Sequence, residues 1–160
     1  ACIALGLGAD VPVFVRGQAA WGEGVGEDLT PVDLPEPWFL VLVPPVSVST
    51  AAVFAHSELT RDSPPVTLRD FFSGDRHNDC AAIVRRDFPA VAAALDWLDR
   101  ESGADGGGRL TGTGGCCFAA YERRDQARAA LERLPPGLEG FVARGINRSP
   151  LLDHLARVGF

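Results

Sequence analysis

An aspartate near the start of the sequence has the surroundings of a catalytic base. Asp10 directly follows Gly8 and Ala9, and the apolar residues 11–15 follow it. Small neighbours would let a substrate approach the carboxylate, and a short strand over 11–15 would hold it rigidly enough to accept a proton from a substrate hydroxyl. The same pattern fits an aspartate whose side chain caps a turn. From these residues alone the turn is the favoured interpretation.

A second stretch is rich in glycine and threonine. It consists of Thr111, Gly112, Thr113, Gly114 and Gly115. Glycines allow a backbone to wrap an anion with its amide groups. The stretch is not a P-loop, because no lysine follows, and it is not GxGxxG, because Cys117 occupies the place of the last glycine. An anion-binding loop and a tight turn between two strands are equally compatible with it.

A third stretch joins a predicted buried strand to a predicted helix. Residues 38–43 are continuously apolar, and Pro44 and Pro45 end that run. We expect Thr50 to cap the following helix, at whose N-terminus a ligand can bind. Thr50 and Phe54 are four residues apart and would face the same pocket. A capping threonine and a core phenylalanine are the alternative, which the pattern by itself favours.

Composition narrows the classes of function. The chain has 160 residues, 46% of them hydrophobic, and a net charge of −6 with no lysine, so general nucleic-acid binding is not expected. Cys116 and Cys117 are adjacent in an apolar run and are predicted to be small core residues. Because there is no CxxC pair and the three histidines are widely scattered, a zinc site is not expected. No apolar run is long enough to span a membrane, and no secretory signal is recognisable. We expect a cytoplasmic protein. The lack of any methionine indicates a chain that begins either after processing or inside a longer protein, and the second interpretation is favoured.

The order of predicted elements indicates an α+β fold. The strand at 38–43 precedes several helices, with a capping-box pattern at Thr67 and Asp70, a predicted cap at Asn78 and a predicted helix end at Gly103. A flexible loop at 106–108 follows, and then two strands around the glycine-rich turn, a helix, a strand at 141–143 and a helix that begins at Ser149 and Pro150. This order predicts an antiparallel sheet with helices on one face. Short strands at 19–24 and 29–32 precede a boundary at the prolines of 34–37.

Taken together and in order, these stretches resemble the GHMP kinases, and among them the diphosphocytidyl-methylerythritol kinases. The stretch 8–14 resembles the segment of these kinases that carries the catalytic aspartate. Residues 22–27 and 29–31 resemble the segment that follows it in the family. The stretch 110–114 resembles the third GHMP motif, while 141–145 and 149–151 resemble the last strand and tail. The resemblance covers nearly the whole chain. The 24–27 stretch points to the diphosphocytidyl-methylerythritol kinases, whereas the third motif is shared by GHMP kinases generally.

The resemblance implies a fold and an activity. Residues 1–34 would be the tail of the N-terminal domain, and 35–160 a ferredoxin-like C-terminal domain. The implied reaction transfers the γ-phosphoryl group of ATP, with Mg²⁺, to the 2-hydroxyl of a cytidine-diphosphate-linked methylerythritol. Asp10 would be the base, and Val25, Thr50 and Phe54 would surround the substrate, with Phe54 stacked on the cytosine. Residues 111–115 would line the phosphate end.

One departure from the family pattern is the lack of a Gly- and Ser-rich ATP loop and of the lysine near the reacting hydroxyl. The resemblance implies that an N-terminal domain supplies both, and that these 160 residues alone are inactive. Two alternatives remain open. One is another GHMP kinase, acting on a mevalonate-type, homoserine or sugar substrate. The other is a non-catalytic ferredoxin-like ligand-binding module in which Asp10 is a turn residue.

Overall fold

The computed structural model of the protein describes residues 6–74, 77–101 and 105–159. The helices are α1 (Val11–Arg16), α2 (Thr50–Ala55), α3 (Leu68–Phe72), α4 (Cys80–Asp87), α5 (Pro89–Arg100), α6 (Arg124–Glu132) and α7 (Pro150–Val158). The strands are β1 (Ala20–Glu23), β2 (Asp28–Pro31), β3 (Trp38–Val43), β4 (Asp105–Leu110), β5 (Cys117–Tyr121) and β6 (Glu139–Arg144). In the described part of the chain, no helix is long and apolar enough to cross a membrane.

The chain divides into two compact units. The first consists of Ala1–Glu36 and Gly145–Phe160, and the second of Pro37–Arg144. The division at residue 36 lies within the predicted proline boundary, but the C-terminal residues group with the first segment rather than with the second unit. The assignment of 1–34 and 35–160 to two kinase domains remains a prediction.

Hydrogen bonds explain why the C-terminal segment belongs to the first unit. The Ala19 amide donates to the Asn147 carbonyl at 2.8 Å, and the Ser149 amide donates to the Gly17 carbonyl at 2.8 Å. The Asn147 side chain donates to the Leu34 carbonyl at 2.7 Å and accepts from the Leu34 amide at 2.9 Å. These bonds join residues more than a hundred positions apart, and the local sequence pattern does not predict such contacts.

The second unit is built on a four-stranded sheet with the order β4-β5-β3-β6, in which all neighbours are antiparallel. Together with the helices between β3 and β4 and the helix between β5 and β6, this is a ferredoxin-like arrangement. The predicted α+β fold, with helices on one face of an antiparallel sheet, is therefore confirmed. Helices α4, α5 and α6 contribute buried residues to the same core as the inward face of the sheet.

Alternate residues of β3 form the centre of that core. Leu40 and Leu42 are fully buried, and Val84, Val91 and Leu98 from α4 and α5 are equally buried in the same cluster. Burial of one such side chain stabilises the fold by about 1.5–3 kcal/mol. The predicted strand thus places its even-numbered side chains against the helices.

The opposite face of the sheet is only half-buried. Phe39 packs edge-to-face against Phe118, with ring centroids 5.7 Å apart, and the Arg109 guanidinium lies 5.2 Å from the Phe118 ring centre. The continuous apolar run at 38–43 predicted burial on both faces. The structure shows full burial on one face and partial cover on the other.

Cys116 and Cys117 were both predicted to be core residues; Cys116 is only partly buried, whereas Cys117 belongs to the core. Its side chain is fully buried in the inward face of β5. Burial raises the pKa of the Cys117 thiol to about 12. The thiol therefore stays protonated and acts as a small apolar group.

The prediction of a flexible loop at 106–108 was wrong, because these glycines lie in β4. The Gly108 amide donates to the Asp99 carboxylate at 2.8 Å, which ties the strand to α5. A side chain on Gly108 would collide with that helix: an added Cβ would lie 2.8 Å from the Leu98 Cβ and 2.9 Å from the Leu95 carbonyl oxygen. Close approach to a helix, rather than flexibility, explains this glycine.

The prediction of a strand at 11–15 was also wrong, because these residues form α1. Pro12 lies in the first turn, where its fixed φ suits a helix and its missing N–H is not needed. Gly17 ends the helix in the left-handed conformation at φ 64°, with its amide bonded to the Val13 carbonyl at 2.9 Å. The β-branched residues favoured a strand locally, but the proline and glycine mark the helix ends.

Two predicted helix starts are confirmed. Thr67 and Asp70 form a capping box at α3, in which each side chain accepts from the other residue's amide. Ser149 caps α7 and Pro150 is its first residue. The predicted end of α5 at Gly103 lies outside the described residues.

We predict that Gly108→Ala lowers the free energy of unfolding by about 2 kcal/mol, because the new methyl group overpacks β4 against α5. Denaturant unfolding would measure the change. Gly22→Ala is the matched control, since Gly22 is also a strand glycine and its added Cβ would make only an ordinary contact with Leu29 at 3.5 Å. Equal stability of the two variants would contradict this account of Gly108.

Candidate functional site

The glycine-rich stretch is a closed turn between β4 and β5. The Thr111 amide and hydroxyl both donate to the Cys116 carbonyl at 3.1 Å, and the Gly114 amide donates to the Thr111 carbonyl at 2.8 Å. Gly112, Gly114 and Gly115 have φ values of 49°, 109° and 90°, which residues with a side chain rarely adopt. The turn therefore requires its glycines. An added Cβ would meet nothing within 4 Å at Gly112 or Gly115, so the backbone is open to a ligand there.

Helix α2 contacts this turn through a pair of threonines. The hydroxyls of Thr50 and Thr113 lie 2.7 Å apart and form a hydrogen bond. The prediction that Thr50 caps α2 was wrong, because Thr50 is the first residue of the helix. The cap is Ser49, whose hydroxyl accepts from the Ala52 amide at 3.3 Å. The Thr50 hydroxyl is thereby left to bind the turn rather than its own helix.

Phe54 lies one helical turn beyond Thr50, so the two side chains share a face of α2. The Phe54 side chain is 57% exposed, which excludes the alternative of a core phenylalanine. Its backbone is held in place by Arg61, whose guanidinium donates to the carbonyls of Phe54 at 2.7 Å, His56 at 3.1 Å and Leu59 at 2.9 Å. A fixed backbone and an exposed ring suit stacking on a planar ligand. Arg61 was not among the site residues predicted from the sequence.

The charged residues after α2 neutralise one another. The Arg86 guanidinium binds Glu58 and Asp87, and it lies 2.8 Å from the His56 ring nitrogen. Hydrogen bonds from Arg86 lower the pKa of Glu58 and of Asp87, so both carboxylates stay ionised at neutral pH. The cation of Arg86 is therefore engaged by carboxylates of the protein.

Helix α4 contacts the turn from another direction. The Asn78 side-chain amide donates to the Gly112 carbonyl at 2.8 Å. The sequence predicted Asn78 as the cap of α4; the cap position is instead occupied by Asp79, and the Asn78 side-chain oxygen accepts the Cys80 amide at 2.9 Å. The link to Gly112 spans 34 positions, and no local pattern signals it.

In the first unit, Asp10 is exposed and occupies the position before α1. Its side chain makes no cap hydrogen bond, while the turn itself is closed by the Val11 amide, which donates to the Gly8 carbonyl at 3.2 Å. The alternative in which Asp10 caps this turn is thus not what the structure shows. The carboxylate is available to a ligand.

Val25 lies in the turn between β1 and β2, and its side chain is 68% exposed. The Val25 amide donates to the Glu27 carboxylate at 2.7 Å, and the Gly26 amide donates to the Glu23 carbonyl at 3.1 Å. An added Cβ on Gly26 would lie 3.2 Å from the Ala9 carbonyl oxygen, so this turn packs beside the segment that carries Asp10.

The predicted site residues thus form two groups. Asp10 and Val25 lie on neighbouring segments of the first unit, and Thr50, Phe54 and the 111–115 turn are brought together in the second. Within residues 6–74, 77–101 and 105–159, no group of three or more His, Cys, Asp or Glu side chains is arranged to hold a metal ion. The open glycine backbone fits phosphate groups better than a metal.

Comparison with known proteins identifies the same family. The family model "GHMP kinases C terminal" matches residues 71–137. A 4-diphosphocytidyl-2-C-methyl-D-erythritol kinase of Halorhodospira halophila is 52% identical over 163 residues, which cover 98% of this chain and 55% of the relative. The enzyme of the same name from Nitrosococcus oceani is 51% identical, with the same two coverages. The chain therefore spans about half the length of the curated relatives it matches.

The fold agrees as well. A crystal structure of 4-(cytidine 5'-diphospho)-2C-methyl-D-erythritol kinase superposes with a TM-score of 0.74 at 28% identity, and the match covers 91% of this chain and 56% of that one. Sequence and fold thus point to one group of proteins along nearly the whole chain. Along nearly its whole length the chain is similar to 4-diphosphocytidyl-2-C-methyl-D-erythritol kinases, and its residues 71–137 match the C-terminal domain of the GHMP kinases.

Proposed function

We propose that the protein containing this chain is an ATP-dependent kinase that phosphorylates the 2-hydroxyl of 4-diphosphocytidyl-2-C-methyl-D-erythritol, a step of non-mevalonate isoprenoid precursor biosynthesis. The observation that carries the proposal is the Thr50–Thr113 hydrogen bond. It joins the helix that presents an exposed Phe54 to an open glycine-rich turn. A stacking ring beside an anion-binding backbone suits an enzyme that holds the base of one substrate next to the phosphates of ATP.

Asp10 is the proposed base. The substrate hydroxyl oxygen bonds to the γ-phosphorus of ATP, the bond from that phosphorus to the β,γ-bridging oxygen breaks, and ADP leaves. The Asp10 carboxylate accepts the hydroxyl proton or orients it for transfer. Such reactions ask the protein mainly for positioning and charge stabilisation. The exposure of Asp10 and its lack of a capping bond support this role.

Val25, Thr50 and Phe54 are the proposed contacts of the cytidine-linked substrate. Phe54 would stack on the cytosine, where an aromatic face contributes about 1–3 kcal/mol per base. Arg61 supports this role because it fixes the Phe54 carbonyl and leaves the ring exposed. The side chains of Val25 and Thr50 are also exposed to solvent.

Residues 111–115 are proposed to line the phosphates of ATP. Gly112, Gly114 and Gly115 have positive φ, and backbone N–H groups in such turns can form an anion-binding nest. We propose that Mg²⁺ arrives with the nucleotide, since this ion is usually held by substrate phosphates with one or two carboxylates. In the described part of the chain, no three His, Cys, Asp or Glu side chains are arranged to hold this ion.

The proposed partner of this chain is an N-terminal domain that supplies the Gly- and Ser-rich ATP loop and a lysine. The relatives are almost twice as long as the segment they share with this chain, and the chain itself has no lysine. We therefore expect these 160 residues to have no kinase activity when isolated. A cytoplasmic location remains a prediction of the sequence.

We predict that Asp10→Asn in the intact protein lowers kcat by at least about a hundredfold, because the amide cannot accept the hydroxyl proton. Steady-state phosphorylation of the cytidine-linked substrate would measure the loss. Asp33→Asn is the matched control, as Asp33 is another exposed aspartate of the first unit and should keep normal turnover. Near-normal turnover of Asp10→Asn would refute the assignment of the base.

We predict that Phe54→Ala raises the KM for the cytidine-linked substrate by roughly tenfold or more, because the stacking surface is lost. The KM for ATP should change little. Phe72→Ala serves as the control, since Phe72 is a similarly exposed phenylalanine of the second unit, at 51% exposure against 57%. An unchanged KM in Phe54→Ala would favour a GHMP kinase whose substrate lacks a planar base.

A further inference from the structure

We propose that Asn78 is a positioning residue that sets the orientation of the Gly112–Thr113 peptide in the glycine-rich turn. The role rests on the proposed function, in which that turn lines the phosphates of ATP. Asn78 is half-buried at the start of α4, and its side chain reaches across to the turn.

Two hydrogen bonds fix the orientation of the Asn78 side-chain amide, and a third holds the Asn78 main chain. The Cys80 amide donates to the side-chain oxygen at 2.9 Å, and the Ala81 amide donates to the main-chain carbonyl of Asn78 at 2.9 Å. Because a backbone N–H can donate only to the side-chain oxygen, the NH₂ group must face the other way. It donates to the Gly112 carbonyl at 2.8 Å.

This bond controls a whole peptide unit. The peptide is planar and trans, so its carbonyl and its N–H point in opposite directions. With the Gly112 carbonyl held toward Asn78, the Thr113 N–H is directed away from α4. Gly112 has φ 49° and no side chain, so a rotation of this peptide would meet little steric resistance without the bond. An anion-binding turn depends on which way its amides point.

The other contacts of the turn do not replace this one. Thr50 binds the side chain of Thr113, and a side-chain hydroxyl bond does not select the direction of the Gly112 carbonyl. The turn also rests on α4 at Gly114, where an added Cβ would lie 3.3 Å from Val84. Helix α4 and the residue before it thus contact the turn at two places, Gly112 and Gly114. Of these two contacts, only the one from Asn78 fixes the orientation of a peptide group.

A simple capping role would not require an amide. An aspartate in place of Asn78 would still accept the Cys80 amide, and its charge suits a helix N-terminus. A carboxylate cannot donate to the Gly112 carbonyl and would repel it. Asn78→Asp therefore keeps the hydrogen bond at the start of α4 and removes the one that orients the turn.

The test compares Asn78→Asp with Ser63→Ala in the intact protein. Ser63 is the matched control because its hydroxyl donates to Asp79 at 2.6 Å, a tie to the same helix start that does not contact the turn. For Asn78→Asp we expect a melting temperature within about 3 °C of the wild type. We also expect shifted and broadened ¹H–¹⁵N signals of Thr113 and Gly114, which Ser63→Ala should leave unchanged.

Kinetics provide the second readout. In Asn78→Asp the KM for ATP should rise about tenfold, the scale expected when a carbonyl loses its donor. The KM for the cytidine-linked substrate should stay within about twofold. Asn78→Gln cannot keep both bonds, because its longer side chain shifts the amide, so it should show the same selective loss.

Two results would overturn the role of Asn78. One is unchanged Thr113 and Gly114 amide signals in Asn78→Asp. The other is a large drop in melting temperature with equal rises in both KM values, which would make Asn78 purely structural. If the wild-type protein phosphorylated no cytidine-linked alcohol, the proposed function would fail instead. The amide signals would still decide whether Asn78 orients the peptide.

Discussion

The antiparallel pairing of β3 with β5 is the constraint on which the second unit depends. Leu42 pairs with Cys117 and Val41 with Phe118, so the end of β3 lies beside the start of β5. The segment that follows β3 and the segment that precedes β5 therefore lie at the same end of the sheet. Helix α2 follows β3 and the glycine-rich turn precedes β5. The contact between Thr50 and Thr113 is a consequence of this register.

Stability and geometry come from different interactions in this unit. Burial of Leu40, Leu42 and their helix neighbours supplies the main stabilisation, and exposed ion pairs such as Arg85 with Asp96 add little each. The hydrogen bonds of Thr50 and Asn78 to the turn contribute about 1 kcal/mol apiece. That is small beside the core. Their importance lies in the direction they impose on hydroxyls, carbonyls and amides.

The cationic side chains near α2 are engaged within the protein. Arg86 is held by Glu58 and Asp87, and Arg61 is held by three carbonyls. Two guanidinium groups that could have bound a phosphate are thus engaged by the protein itself. In the proposed function, the left-handed glycines of the turn bind phosphate through their backbone, so binding would not require a flexible side chain to be ordered.

The sequence by itself determined the features that depend on near neighbours. The β3 strand, the capping box at Thr67, the start of α7 and the strands around the glycine-rich turn follow from alternation, capping residues and turn chemistry, and the structure confirms them. Asp10, Val25, Thr50 and Phe54 were recognisable as candidates from motifs, and their roles remain predictions. Only the tertiary structure decided that Gly108 belongs to a strand and that Asn78 reaches Gly112. Both depend on residues brought together by the packing of α4 and α5 on the sheet, and contacts between distant positions leave no periodic signal in the chain.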